Sequence, residues 1–444
     1  MVLARSTQAV VGFSDALLVA PLGEDALAAV TTGSLNAFAA IILPMGTVFI
    51  LQSFTAQLWG RRELSAIRRY ALYGFAIAGA AGLFAALAVP FVPGALALFE
   101  FSPRVHELMS AYLAIRLLSV GAAAGSEALG NWYGGLGNTR PALVASVVTM
   151  IANVAGNYAL IEPRFGLPGY GVHGAAWASV AASWLGFFVL VFWFARGHGY
   201  AKADAPLGFR QTELVRVLRF GLPNGINWFL EFSAFMIYIN AVVAHLGTTV
   251  LAAFNVVMQI NSIAFMPAFG LSSAGAILVG EAIGRRALDQ VWPIVKLTGK
   301  VACAWMLTIG VCYAAFPEVF MGWFARDDAD TQTLVRVGTT MLVMAALWQL
   351  FDALALTLSE ALRAAGDTAW TMGARIVLAW LLFTPLAWVA VHVYDGEVVT
   401  VMLSLVLYVA ALALAFVWRF ASGAWRSIDL VGTPSPVAAG ESGA

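Results

Sequence analysis

Three carboxylates stand where a carboxylate is expensive. Asp15, Glu231 and Asp352 each interrupt a long apolar run. A charge at the centre of a bilayer costs about 2.5–3.5 kcal/mol on insertion scales, so an acid kept there is a functional candidate. Asp15 needs partners, and the run MIANVAGNYALI offers Asn153 and Asn157, four apart and therefore on one helix face. Ser179, within GAAWASVAAS, adds a hydroxyl. A carboxylate, two amide carbonyls and a hydroxyl are hard oxygen donors that suit a small cation such as Na⁺, at Asp15, Asn153 and Asn157 above all. The carboxylate takes a proton equally well. The same groups also make a plain interhelical hydrogen-bond network that packs small-residue helices.

Glu231 follows Asn227 by one turn and Asn224 by two, just after Gly221-Leu222-Pro223. Asp352 follows Trp348 by one turn, with Gln349 beside it. Two acids facing one space repel each other, which favours taking up a proton or a cation there. The alternative is that each faces water near a helix end. Trp228, Phe229, Trp348 and Phe351 flank these acids. Aromatic faces beside acids suit lipophilic cations, although aromatic residues in apolar helices more often pack or face lipid. Asn255 and Gln259, four apart, either line the same space or join helices.

The elements that must position these groups follow from composition. The 444 residues are 61% hydrophobic and 11% charged, against roughly half apolar and a quarter charged in a soluble domain. Continuous apolar runs of span length are membrane helices. Alternating strands are excluded by that continuity. Twelve spans are expected, over 2–20, 26–58, 71–94, 105–133, 141–162, 173–195, 217–245, 250–282, 294–317, 331–362, 370–393 and 398–421. The first is short, begins almost at Met1 and is expected to lack its opening turns; no cleavable signal precedes it.

The chain repeats itself. Leu22-Gly23 matches Leu246-Gly247, LAAV at 27–30 matches LAAF at 251–254, and Gly60-Arg61-Arg62 matches Gly284-Arg285-Arg286, all at an offset of 224. LGNT at 136–139 answers AGDT at 365–368 at an offset of 229. Six spans per half make parallel repeats related by an axis along the membrane normal. The expected fold is therefore all-α and integral to the membrane, with two six-helix lobes in pseudo-twofold relation and a cavity between them. That plan is common among transporters and also available to channels. The lobes are placed at 1–195 and 217–422, joined by a basic linker at 196–216 and followed by a small, polar tail at 423–444 that reads as disordered.

Charge fixes the expected orientation. Even-to-odd connections are basic (Arg61, Arg62, Arg68 and Arg69; Arg196, Lys202, Arg210, Arg216 and Arg219; Arg285, Arg286, Lys296 and Lys300), whereas odd-to-even connections carry Glu24, Asp25, Asp327, Asp328, Asp330, Asp395 and Glu397. Both termini are expected to be cytoplasmic. Pro44 with Gly46, and Pro267 with Gly270, fall mid-span and permit matched bends, static or moving. Arg116 in the fourth span reads as an anchor reaching the surface or as half of a gating pair. Cys303 and Cys312 lie nine apart in one helix and read as packing residues. Net charge is zero, which gives no argument for nucleic acid. No Walker loop, nucleophile elbow or zinc signature is present. An enzyme and a cofactor are not expected, and energy must come from an ion gradient.

In this order and spacing the residues resemble the multidrug and toxic compound extrusion (MATE) family, NorM-type branch. The likeness rests on FSDALLVAPLGEDALAAV, AQLWGRR and GEAIGRR, YLAIR followed by GGLGNTRP, NVAGNY, GVHGAAWAS and LRAAGDT. It implies a multi-pass protein of the plasma (inner) membrane, active as a monomer, that exports lipophilic organic cations in exchange for Na⁺ or H⁺. It places the first-half cation site on Asp15, Asn153, Asn157 and Ser179, where many members have threonine, and the second-half site on Glu231 and Asp352. Trp348 departs from the pattern, standing where such members can have a tyrosine; an indole N–H supplies no oxygen ligand. Two alternatives remain at this stage: a flippase for lipid-linked saccharides, which would want a basic cavity, and a non-transporting scaffold, which would want large soluble domains.

Overall fold

The computed structural model describes residues 14–15, 17–99, 101–164, 166, 168–197, 208–323 and 329–432. The described residues are helical throughout, with no strand. Ten helices are long and apolar enough to cross a membrane, or eleven with one bent pair counted as a span. They are Glu24–Gly60, Leu64–Leu96, the pair Pro103–Leu117 and Val120–Gly135, Arg140–Leu160, Gly171–Ala195, Gln211–Leu246, Thr248–Gly284, Leu288–Ala315, Gln332–Ala365, Thr368–His392 and Val398–Ala421. These are the second to twelfth spans. Ser14, Asp15 and Leu17–Val19, the described part of the first, are helical too; the opening residues expected to be short of turns lie outside the described residues.

The sequence repeat is a repeat of backbone. Ala20–Leu22 and Ala244–Leu246 are both single 3₁₀ turns, each ended by a glycine at φ +104°. Glycine is required there, because a side chain at that angle is strained. The basic turns match as well: Arg62 has φ 61° and Arg286 φ 60°. The matched prolines behave differently. The second span breaks at Ile50, whose N–H turns to the Val48 carbonyl, whereas the eighth runs unbroken through Pro267 from Thr248 to Gly284. The fourth span bends by 44° between Leu117 and Val120.

Two compact units divide at Gly225/Ile226, inside the seventh span rather than in the 196–216 linker. In the first unit the stretch Pro44–Leu58 is buried all round, its polar residues Thr47, Gln52, Ser53, Thr55 and Gln57 included. The early part of the seventh span belongs to this unit. A Cβ on Gly221 would meet the Thr47 carbonyl at 2.4 Å, and one on Gly225 the Leu43 carbonyl at 2.4 Å. Asn224 Nδ2 donates to the Gly46 carbonyl at 2.6 Å, the acceptor released by the break at Ile50. Glu213 is held by Arg69 through Nη2 at 2.9 Å and Nε at 3.2 Å, and by the Tyr73 hydroxyl at 2.6 Å.

In the second unit the eighth, tenth and twelfth spans pack around two apolar cores, one with Tyr238, Phe254, Met306 and Met341, the second with Phe416 and Phe420. The AGDT turn is a charged, buried knot. Glu360 pairs with Arg363, and Asp367 accepts from Arg419 Nε at 2.7 Å and Nη2 at 3.2 Å. The tail corrects an expectation. Residues 424–432 are ordered against this knot: Ala424–Ser427 is a 3₁₀ turn, and Trp425 and Leu430 are buried. Ile428 and Leu430 over the Gly366 turn, and Trp425 stacked on Phe420, give this segment the apolar burial that its small, polar continuation lacks. Residues 433–444 lie outside those described.

Candidate functional site

The first-half cluster assembles as its spacing implies. Asp15, Asn153, Asn157 and Ser179 are all buried. Asn157 Nδ2 donates to Asp15 Oδ1 at 2.5 Å and to Asn153 Oδ1 at 3.3 Å, and Asn153 Nδ2 donates to Ser179 Oγ at 3.0 Å. Small residues make this closeness possible. The fifth and sixth spans run antiparallel and approach closely at three glycines. Hypothetical Cβ atoms on Gly186, Gly156 and Gly174 would meet Thr149 Oγ1 at 2.0 Å, the Ala178 Cβ at 3.0 Å and the Leu160 carbonyl at 2.4 Å. Packing of this type brings polar side chains on facing helices into hydrogen-bond range. Asn153 and Ser179 fall between these contact points, in register.

Asn157 Oδ1 is buried without a hydrogen-bond partner. A carboxylate and an orphaned amide oxygen therefore stand side by side with acceptor capacity unused. Such a site fits a proton or a small cation by the chemistry of its donors. Of the fourth-span neighbours, the sequence marks Arg116 but not Tyr112. Tyr112, fully buried, shares a 2.8 Å hydrogen bond with Ser34, and Arg116, one turn on, exerts its charge on both Asp15 and Tyr112. Arg116 is half-buried and its Nε has no partner, so it is no free surface anchor.

In the second half, Glu231 and Asp352 are brought together by a residue the sequence reading passed over. Arg375, in the eleventh span, forms an ion pair with Glu231, and its charge acts on Asp352 as well. Its guanidinium carbon lies 5.4 Å from the Phe416 ring centroid. Trp380 Nε1 donates to the Leu230 carbonyl at 3.1 Å, fixing the eleventh span to the seventh beside the pair. Both helices carry a π-helical stretch here, Tyr238–Val243 and Val377–Phe383, with the Tyr238 and Phe383 rings 4.8 Å apart. Such stretches are rare and concentrate at functional sites.

The other expected second-half residues scatter. Asn227 is buried with its Oδ1 unpartnered. Asn224 serves the second span instead of sharing a site with Glu231. Trp348 is 3% exposed and lies within the apolar core. Phe351 packs against the second core, and Trp228 is half-buried. Asn255 and Gln259 are exposed on one face of the eighth span. Gln349 Nε2 donates to Asn261 Oδ1 at 2.7 Å while Gln349 Oε1 is buried without a partner. Among the described residues no group of three or more His, Cys, Asp or Glu is placed to hold a metal ion.

A fold of two such units with an acid set in each points to a membrane transporter, and comparison with known proteins gives the family. The MatE family model matches residues 1–159 and 223–389, and the chain belongs to that family. It is similar to the probable multidrug resistance protein NorM of Synechocystis sp., with 26% identity over 94% of this chain and 91% of that one. It is 25% identical to the multidrug resistance protein MdtK of Yersinia pestis, over 87% and 84%. Among solved structures, a MOP superfamily transporter from Pyrococcus furiosus matches with a TM-score of 0.87 at 19% identity, over 96% of this chain and 95% of that one. An outward-facing multidrug resistance MATE family transporter matches with a TM-score of 0.86 at 19% identity, over 96% and 95%. These likenesses establish the twelve-span, two-lobe fold.

Proposed function

We propose that the chain is a secondary multidrug efflux antiporter, exporting lipophilic organic cations in exchange for Na⁺ or H⁺. The observation that carries the coupling step is the buried contact between Asp15 and Asn157, with the Asn157 oxygen left over. Asp15, with Asn153, Asn157 and Ser179, takes up the coupling ion, whose arrival fills the unused acceptor capacity. Glu231 and Asp352 serve the organic cation or a second ion. Asn227, Trp228, Asn255, Gln259 and Phe351 contribute polar and aromatic surface around it. The names of the relatives, multidrug resistance proteins, support the substrate class. The basic even-to-odd connections support an inner-membrane protein with both ends in the cytoplasm.

The test is reconstituted transport of a fluorescent organic cation by the full chain, with Na⁺ and pH gradients imposed separately. Uphill export driven by one gradient is expected. Dependence on neither would sink antiport. Full uphill export by Asp15→Asn would sink the role given to Asp15.

A further inference from the structure

Arg375 sits inside an apolar span, where a cation is as costly as an acid, and it faces two acids rather than one. Glu231 contacts it; Asp352 acts on it through its charge. With both carboxylates ionised, the two acids and the guanidinium sum to a net charge of −1. The pair is unevenly buried: the Glu231 side chain is 38% exposed and the Arg375 side chain 14%. A ligand therefore reaches the acid before it reaches the guanidinium. Arg375 also has somewhere to go. Its Nε is buried without a partner, the buried Tyr408 hydroxyl is likewise unpartnered, and Tyr408 lies within electrostatic range of the guanidinium. The Phe416 face remains available to it in either position.

We infer that Arg375 is a specificity-determining residue, a tethered cation that occupies the acid pair when no substrate is present and leaves it room for one positive charge. The inference rests on the efflux reading above. An organic monocation displaces the guanidinium from Glu231, and the charges on Asp352, Glu231 and Arg375 then balance it. A dication at the same place leaves one charge uncompensated in a low-dielectric surrounding, where an unpaired charge is heavily penalised. Specificity here comes from a resident repulsion as much as from attraction.

The test is equilibrium binding to the full-length protein in lipid nanodiscs, with tetraphenylphosphonium as the monocation and methyl viologen as the dication. Wild type is expected to prefer tetraphenylphosphonium. Arg375→Gln lowers the net charge to −2, and the methyl viologen affinity is expected to rise at least about tenfold relative to tetraphenylphosphonium. Arg375→Lys keeps the charge and the wild-type ratio. The double variant Glu231→Gln/Arg375→Gln returns to −1 and to that ratio without leaving two acids unpaired. A ratio unchanged in Arg375→Gln, or shifted equally in the double variant, overturns the inference. Should Arg375→Gln not fold, Asp352→Asn decides: tetraphenylphosphonium affinity must fall about tenfold or more as the site becomes neutral, and an unchanged affinity overturns the inference. Wild type that binds neither probe overturns the efflux reading and this inference with it, whereas binding of both probes with a charge-insensitive ratio overturns this inference alone.

Discussion

Asp15 in the first half and Glu231 in the second are both acids inside apolar spans, yet they are kept there by different means. Asp15 is solvated by neutral dipoles, an asparagine N–H backed by a second asparagine and a serine, with the Arg116 guanidinium acting from the fourth span. Glu231 is held in direct contact by a guanidinium that also serves Asp352. The scaffold is duplicated down to the φ of Gly23 and Gly247, while the chemistry is not. A neutral cage can take a cation without first expelling one. An ionic cage must exchange. The first arrangement favours small ions that bind and leave quickly; the second favours a ligand large enough to offset the ion pair it breaks.

The largest expected effect breaks the comparison on the first side. Asp15→Asn should cut uphill export in proteoliposomes by about 100-fold, roughly 2.7 kcal/mol, while equilibrium binding of a drug-like cation is retained. Loss of binding with unchanged coupling would reverse the two roles. Next is packing. Gly174→Ala places a Cβ 2.4 Å from the Leu160 carbonyl and should cost about 1–3 kcal/mol of stability. In the second half Gly299→Ala makes only an ordinary 3.8 Å contact with Thr357 and should change the melting midpoint little. Equal midpoints in detergent would remove the claim that the first site depends on close backbone approach.

Smaller effects sharpen the contrast. Asn157→Ala withdraws a charge-assisted hydrogen bond to the acid, and a loss of about 1.5–3 kcal/mol in coupling-ion affinity is expected, read by Na⁺ or pH titration of export. Asn227→Ala, one turn from the ionic cage, should leave that titration in place and alter drug affinity instead. Ser179→Thr should be nearly silent, since the hydroxyl that accepts from Asn153 is kept; a large loss there would mean that the added methyl does not fit between the fifth and sixth spans.

The parts of this comparison that sequence could show are those written in local spacing. Asn153 and Asn157 share a face because they are four apart, and acids in apolar runs declare themselves by cost. The helical spans and the offset of 224 are likewise periodic signals. Arg375 escaped because nothing local marks it. It lies a few residues inside the eleventh span, where a basic residue reads as a helix-end cation, and its partner is 144 positions away. The signal available was the odd sum of charges, a cation with no helix end of its own beside two unpaired acids. The burial of Trp348 in the apolar core was illegible for a related reason: its nearness to Asp352 in sequence says nothing of which side of the tenth span faces the core. Asn224 illustrates a third limit. Its true partner is a carbonyl freed by a helix break, and Pro44 and Pro267 look alike in sequence, although only the second span is interrupted, at Ile50.

The segment over the AGDT turn has a consequence for biosynthesis. Gly366, at φ +92°, is covered by Ile428 and Leu430, which follow the twelfth span in the chain. During translation the tenth span and its buried Glu360, Arg363 and Asp367 are made long before the residues that cap them or the Arg419 that neutralises Asp367. The second unit therefore cannot finish assembling helix by helix as the spans are inserted; its charged knot closes only after the last span is released, as the final act of membrane insertion.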